Sequence, residues 1–206
     1  MKYFIDTEFI EGFNKPLFGK RRHFIDLISI GVHREDGKSL HLLSRDWNFK
    51  DADEWVKDNV IIPLYKQYVS GDCRNITQAD SFHKLLGFKN EQIKDKLLEF
   101  FGCWRDQHFW RAPEGIEVYG YYCDYDWVLL CSLFGRMIDL PKGFPMYCHD
   151  LKQTLDEKCA ILNETPLTIK ELNGYPKQSN EHNALSDAKW NFELYKFLQT
   201  INTVNP

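Results

Sequence analysis

Nowhere in its 206 residues does the chain carry an apolar run approaching the roughly 20 residues needed to cross a bilayer, which excludes a membrane-spanning helix. The first residues hold Lys2, Asp6 and Glu8 with no extended apolar core and no small-residue cleavage site, so they do not read as a signal peptide, and a cytoplasmic location is expected. None of the six cysteines forms a Cys-x-x-Cys pair, which argues against a zinc cluster or a thioredoxin-type motif. Cys73, Cys103, Cys123, Cys131, Cys148 and Cys159 therefore read as reduced, mostly buried thiols. There is no Pro-, Gly- or Ser-rich linker, no abrupt change of composition, no internal repeat and no low-complexity tract, so 1–206 is expected to fold as one domain. Positive charge is not in excess either. Lys+Arg number 26 against 30 Asp+Glu, a net charge of −4, which speaks against broad attraction to polyanions. Lys20-Arg21-Arg22 is a small basic cluster, and by itself such a cluster is more often a solvated loop.

What the chain does have is 43% hydrophobic and 15% aromatic residues, enough for a well-buried core, arranged in a readable order. Lys2 to Glu8 reads as a strand, and after the loop EGFNKPLFGKRRH the run Phe24 to His33, rich in Ile and Val, reads as another. Asp36-Gly37 is a hairpin signal, and Ser39 to Ser44 pairs back, making three antiparallel strands. Helical spacing holds from Ala52 to about Tyr68, broken by Pro63, and more clearly from Asn90 to Trp104. Ile116 to Tyr122 returns to strand character and runs into a helix from about Asp126 to Met137. Met146 to Cys148 reads as a short strand before a helix starting near Asp150, and the last long helix runs from about Ala184 to Leu198. A three-strand meander followed by alternating helices and strands predicts an α/β fold with a mixed sheet, first antiparallel and then parallel, flanked by helices.

The first strand is apolar on both faces (Tyr3, Phe4, Ile5, Phe9) and yet carries Asp6 and Glu8. Side chains alternate along a strand, so these two carboxylates share a face, with their origins about 6.8 Å apart. A lone Asp-x-Glu is more often the solvated side of an edge strand, but carboxylates on a central strand need a cation or a proton to offset the cost of burial. A second acidic element, VYGYYCDYDWVLL, puts Asp124 and Asp126 at a strand-to-helix turn, where a side chain can point over the carboxyl ends of neighbouring strands. Helix capping explains Asp124, leaving Asp126 in the first turn. The third element is HNALSDAKW: His182 and Asp187 are five apart, a spacing that does not put two residues on one helical face as three or four would, so His182 precedes the helix and Asp187 lies on it.

Asp-x-Glu early on a strand, an Asp after a middle strand and His-x-Ala-x-x-Asp opening the last helix, in this order, resemble the DEDDh family of 3′-to-5′ exonucleases. The resemblance spans nearly the whole chain, FIDTEF and HNALSDA being its most specific parts. More narrowly, KYFIDTEFIEG, IDLISIGVHREDG, the stretch around DEWVKDNV, YDWVLL and the closing motif look like the small bacterial exoribonuclease family first recognised in mycobacteria. This resemblance selects Asp126 over Asp124. It implies a ribonuclease H-like fold and two Mg²⁺ or Mn²⁺ ions, which suit oxygen ligands and would reverse the local sign of an acidic protein. By the same resemblance Asp6 bridges the ions, Glu8 and Asp187 hold the ion that activates water, Asp126 serves the second ion directly or through water, and His182 is the general base. Thr7 and Phe9 become substrate contacts, Phe9 by packing on the terminal base with a core phenylalanine as the competing reading, and Lys20, Arg21 and Arg22 guide upstream phosphates. Many relatives have Thr or Ser-Thr where Phe9 stands and Asn where Tyr122 stands, which bears on substrate preference more than on reaction type.

The implied activity is trimming of single-stranded RNA from the 3′ end to nucleoside 5′-monophosphates; the sequence leaves the oligomeric state open, and the resemblance is compatible with a homodimer. A DNA 3′-to-5′ exonuclease would use the same motifs, because discrimination of the 2′-OH rests on few contacts. A nucleic-acid-binding module without turnover is the rival from another class, and it would not need all five of Asp6, Glu8, Asp126, His182 and Asp187.

Overall fold

The computed structural model describes residues 1–14, 19–68 and 82–201. Cys73 and positions 15–18 of the first loop lie outside the described residues, and the other five cysteines are free thiols.

Three strands open the fold: β1 (Lys2–Asn14), β2 (Arg22–Arg34) and β3 (Ser39–Leu43), each antiparallel to the one before. A helical segment, α1 (54–66), and α2 (Asn90–Phe100) follow, then a two-stranded ribbon of β4 (Trp104–Arg105) and β5 (Trp110–Arg111). Strand β6 (Glu117–Gly120) leads into α3 (Asp124–Phe134), and β7 (His149–Asp150) into α4 (Leu151–Leu162), α5 (Pro166–Lys170) and α6 (Ala184–Thr200). The described sheet runs β3-β2-β1-β6-β7, with β6 parallel to both β1 and β7. The mixed sheet expected from the sequence is present. Among the described residues no helix is long and apolar enough to cross a membrane.

Several boundaries differ from the sequence expectation, each for a local reason. The β1–β2 hairpin continues six residue pairs past Glu8, to Asn14↔Arg22, because Ile10 is fully buried and Gly12 admits the Phe24 ring against its backbone. Helix α1 is not broken at Pro63. A π turn over Lys57–Ile61, closed by the Ile62 N–H on the Lys57 carbonyl, changes the hydrogen-bond register just before the proline, where an ordinary turn would clash. Helix α2 stops at Phe100 instead of Trp104: Gly102 has φ +70°, and the Cys103 N–H returns to the Leu98 carbonyl at 2.8 Å, a left-handed C-terminal cap. Gly135, at φ +110°, likewise ends α3 before Met137. Asp124 is the first residue of α3 and not its cap, which is Cys123. The short strand falls at His149–Asp150, with Met146 and Tyr147 exposed outside it.

Helix α6 is seated on the sheet by a close approach. A Cβ at Gly31 of β2 would stand 2.1 Å from the carbonyl oxygen of Ala184, so both positions must be small for the first turn of α6 to lie on the strand. One core packs Tyr3, Ile5, Ile30 and Val32 against α2 and α3, and a second packs Ile10, Ile28 and Trp47 against Val60, Ile61 and Leu64 of α1.

Candidate active site

The even-numbered side chains of β1 share one face, and that face has two covers with a gap between them. Phe4 lies under α6, with ring centroids 5.0 Å from Phe192 and 5.4 Å from Tyr195. Ile10 lies under α1. Asp6 and Glu8 fall between, in a cleft of about 200 Å³ that Asp187, His182 and Trp190 also line. The register shifts at Glu8: Glu8 pairs with Ser29 but Phe9 with Leu27, so Ile28 is an extra residue on β2. Bulges of this kind re-aim side chains beside active sites. Here the extra residue lets Ile28 enter the core under α1 while Leu27 and Ile30 both face the other core.

Asp6, Glu8 and Asp187 each offer a carboxylate oxygen, all within 4.8 Å of one another. Burial first, then repulsion from Asp126, Glu8 and Asp187, holds the Asp6 carboxyl well above the usual range. Burial and the charges of Asp187 and Asp126 push Glu8 up to about 8. Burial also raises Asp187, against the Gln178 amide, whose Nε2 donates to its Oδ1 at 2.6 Å. Three acidic oxygens this close repel one another when ionised, and the repulsion is relieved either by protons or by a cation. An all-oxygen donor set fits a hard divalent ion such as Mg²⁺ or Mn²⁺.

The metal-free protein should register this strain. A carboxyl whose pKa rises on folding, as Glu8 rises from 4.5 to about 8, binds a proton in the folded state that the unfolded chain has lost, so its contribution to stability falls as pH climbs through that interval. In EDTA the melting temperature is expected to drop by about 5–10 °C between about pH 5 and about pH 8, and millimolar Mn²⁺ to restore most of it at the upper pH. A melting temperature in EDTA that is flat over that range would show that the three groups ionise freely.

Asp126 is placed differently. Strand β6 pairs with β1 only as far as Phe4↔Tyr119, and beyond this the sheet opens. Asp126 fills the opening: its Oδ1 accepts the Thr7 backbone N–H at 2.8 Å and the Thr7 hydroxyl at 2.5 Å. Asn191 of α6 takes the neighbouring Ile5 carbonyl through Nδ2 at 2.9 Å. Asp126 is therefore outside the cluster of three oxygens while close enough to raise Asp6, and burial pushes its own carboxyl up to about 6. Thr7, expected to touch substrate, lines the cleft but is largely buried, with both donors taken by Asp126.

His182 precedes α6 in a left-handed conformation, φ +62°. Asn183 caps the helix by accepting the Ser186 N–H at 3.0 Å, and its own N–H reaches Asp187 Oδ2 at 3.3 Å. The histidine thus stands at the cleft while Asp187 points inward from the first turn. Phe9, on the other face of β1 from Asp6 and Glu8, packs partly buried against the first core, in keeping with the competing core reading, and its ring stacks on Tyr125, centroids 5.6 Å apart. Lys20, Arg21 and Arg22 are not brought to the carboxylates. Arg22 pairs with Asn14, six strand residues beyond Glu8, or about 20 Å.

Some residues of the site were not singled out from the sequence. Trp190 and Asn191 stand three and four positions after Asp187, the spacing that shares a helical face, so a signal existed. Gln178 sits in a loop and carries none. Asp150, capping α4 through the Lys152 N–H at 2.6 Å, also accepts the Cys123 N–H at 3.1 Å and so joins the starts of α3 and α4 beside Asp126.

Residues 67–199, more than half of the chain, match the family described as the 3'-5' exoribonuclease Rv2179c-like domain. The chain belongs to this family. Among curated proteins, this Rv2179c-like chain is 28% identical over 199 residues to "3'-5' exoribonuclease Rv2179c" of Mycobacterium tuberculosis (strain ATCC 25618 / H37Rv), covering 96% of this chain and 93% of the relative. The same figures hold for "3'-5' exoribonuclease MT2234.1" of strain CDC 1551 / Oshkosh. A solved structure described as "Structure of yeast NOT1 MIF4G domain co-crystallized with CAF1" aligns over 96% of this chain and 80% of that chain, with 12% identity and a TM-score of 0.48, a likeness too loose to define a fold. The matched family region begins after β1, so Asp6 and Glu8 of this Rv2179c-like protein lie outside it, whereas Asp126, His182 and Asp187 lie within.

Proposed function

We propose that this protein is a 3′-to-5′ exoribonuclease that hydrolyses single-stranded RNA from its 3′ end and releases nucleoside 5′-monophosphates, acting as one cytoplasmic domain of ribonuclease H-like type. The observation that carries the reading is the convergence of Asp6, Glu8 and Asp187 within 4.8 Å in a cleft that also presents His182. The activity for which the mycobacterial relatives are named supports RNA as the polymer, and the strand order β3-β2-β1-β6-β7 supports the fold type.

Asp6, Glu8 and Asp187 would hold divalent cations, with Asp126 approaching from the Thr7 side. When bound, such ions supply an activated water and neutralise charge on the phosphate and on the departing 3′ oxygen. The protein's own groups do the rest. An imidazole nitrogen of His182 accepts the proton of the attacking water as general base. Gln178 and the Asn183 N–H hold the Asp187 carboxylate in one orientation, and Thr7 does the same for Asp126. Phe9 and Tyr125 offer a stacked aromatic edge on which any terminal base can lie.

The test uses end-labelled RNA and DNA oligomers of one sequence, incubated with Mn²⁺ or with EDTA. A stepwise ladder from the 3′ end of the RNA, absent in EDTA, is the expected result. Faster shortening of the DNA would make the protein a DNA exonuclease, and retention without shortening would make it a binding module.

A further inference from the structure

We propose that Trp55 is a positioning residue that fixes the ring of His182 over the cleft, an inference that rests on the exoribonuclease reading of the site. Trp55 lies in the first turn of α1 and is 55% exposed. Its indole meets the His182 imidazole nearly at right angles, centroids 4.9 Å apart and planes at 78°, the edge-to-face geometry that aromatic pairs prefer. Among the described residues it is the ring packed on this imidazole, and it is not among the residues that line the cleft.

Hydrogen bonds and packing hold the helix that carries Trp55. Asp53 caps the helix start by accepting the Val56 N–H at 2.8 Å, and the Trp55 carbonyl accepts the Asn59 amide at 2.9 Å from within the π turn, a distortion that recurs at functional sites. The other face of α1 is buried through Val60, Ile61 and Leu64. Past its far end, Gln67 Oε1 accepts the Asn183 amide at 3.2 Å, so α1 holds the histidine loop at two adjoining residues. His182 itself sits at φ +62° in a loop ahead of α6, and a base displaced by about 1 Å from the attacking water loses much of its effect.

An aromatic pair shifts a rotamer equilibrium by up to about tenfold, so Trp55→Ala is expected to lower kcat by about tenfold with KM within about twofold, and Trp55→Phe to recover most of the loss. Because the indole acts through the imidazole, Trp55→Ala should cost nothing further in a His182→Ala background. In metal-free protein carrying labelled histidine, the His182 ring resonance should be displaced by the indole in the wild type and return to its ordinary position in Trp55→Ala. A raised KM at unchanged kcat, or an equal loss in the His182→Ala background, would mean that the indole touches substrate and would overturn the positioning role. Should the wild type shorten no RNA, the exonuclease reading falls, and the histidine resonance alone decides whether the indole fixes the ring.

Discussion

Asp6→Asn is expected to cut RNA hydrolysis by at least about a thousandfold while making the metal-free protein more stable. Loss of activity follows from the position of the residue: it belongs to the group of three oxygens, and among the charges that raise its own carboxyl Asp126 comes first, so it joins the two parts of the site. A thousandfold is about 4 kcal/mol of barrier, within what removal of a charge from such a site costs. The gain in stability follows from the same electrostatics. Burial and three neighbouring acids raise the Asp6 carboxyl, so its ionised form opposes folding above its unfolded pKa. Asn has nearly the same shape and no charge. In EDTA at about pH 8 the variant should melt several degrees above the wild type, and Mn²⁺ should add less to it than to the wild type. Thermal melts with and without metal, beside a turnover assay, check both halves. Undiminished turnover would remove Asp6 from the chemistry, and a melting temperature below that of wild type in EDTA would refute the electrostatic account.

The contrast between what could and could not be read from the sequence follows the range of the interactions. The shared face of Asp6 and Glu8 depends only on the period of a strand, and the placing of His182 before the helix with Asp187 on it depends only on the helical turn; both stand in the structure. The mixed sheet was legible for the same reason, since Asp36-Gly37 and the alternation of helix and strand are local signals. The position of Asp126 was not. It depends on where β6 ceases to pair with β1, and thus on the close packing of Gly120 against Cys123 and the Ile5 carbonyl, contacts between distant segments. Nor was the remoteness of Lys20, Arg21 and Arg22, because Glu11 and Gly12 read as the start of a loop, whereas the buried Ile10 and the Gly12–Phe24 contact carry the hairpin onward. The ribbon of Trp104–Arg105 and Trp110–Arg111 escaped because all four residues are exposed, which leaves no apolar alternation to detect. Trp55 escaped as well. A tryptophan on a helix signals a core contact by default, and only the fold brings it to a histidine more than a hundred residues away.

His182→Ala is expected to lower kcat by about a hundredfold to ten-thousandfold, the span of general-base catalysis, without changing the response of the melting temperature to Mn²⁺. The two readouts separate because the imidazole contributes no atom to the group of three oxygens. A loss of the metal response would instead make His182 a ligand. The backbone supplies a control that a purely structural histidine would not pass. At φ +62° any residue with a Cβ is strained, so His182→Gly should be more stable than His182→Ala by roughly 0.5–1 kcal/mol while being equally slow. Two variants of unequal stability and equal, low turnover would show that the rate follows the imidazole and not the rigidity of the loop. If activity instead recovered with stability in the glycine variant, the role of His182 would be to shape the entrance to α6, and the proton of the attacking water would need another acceptor.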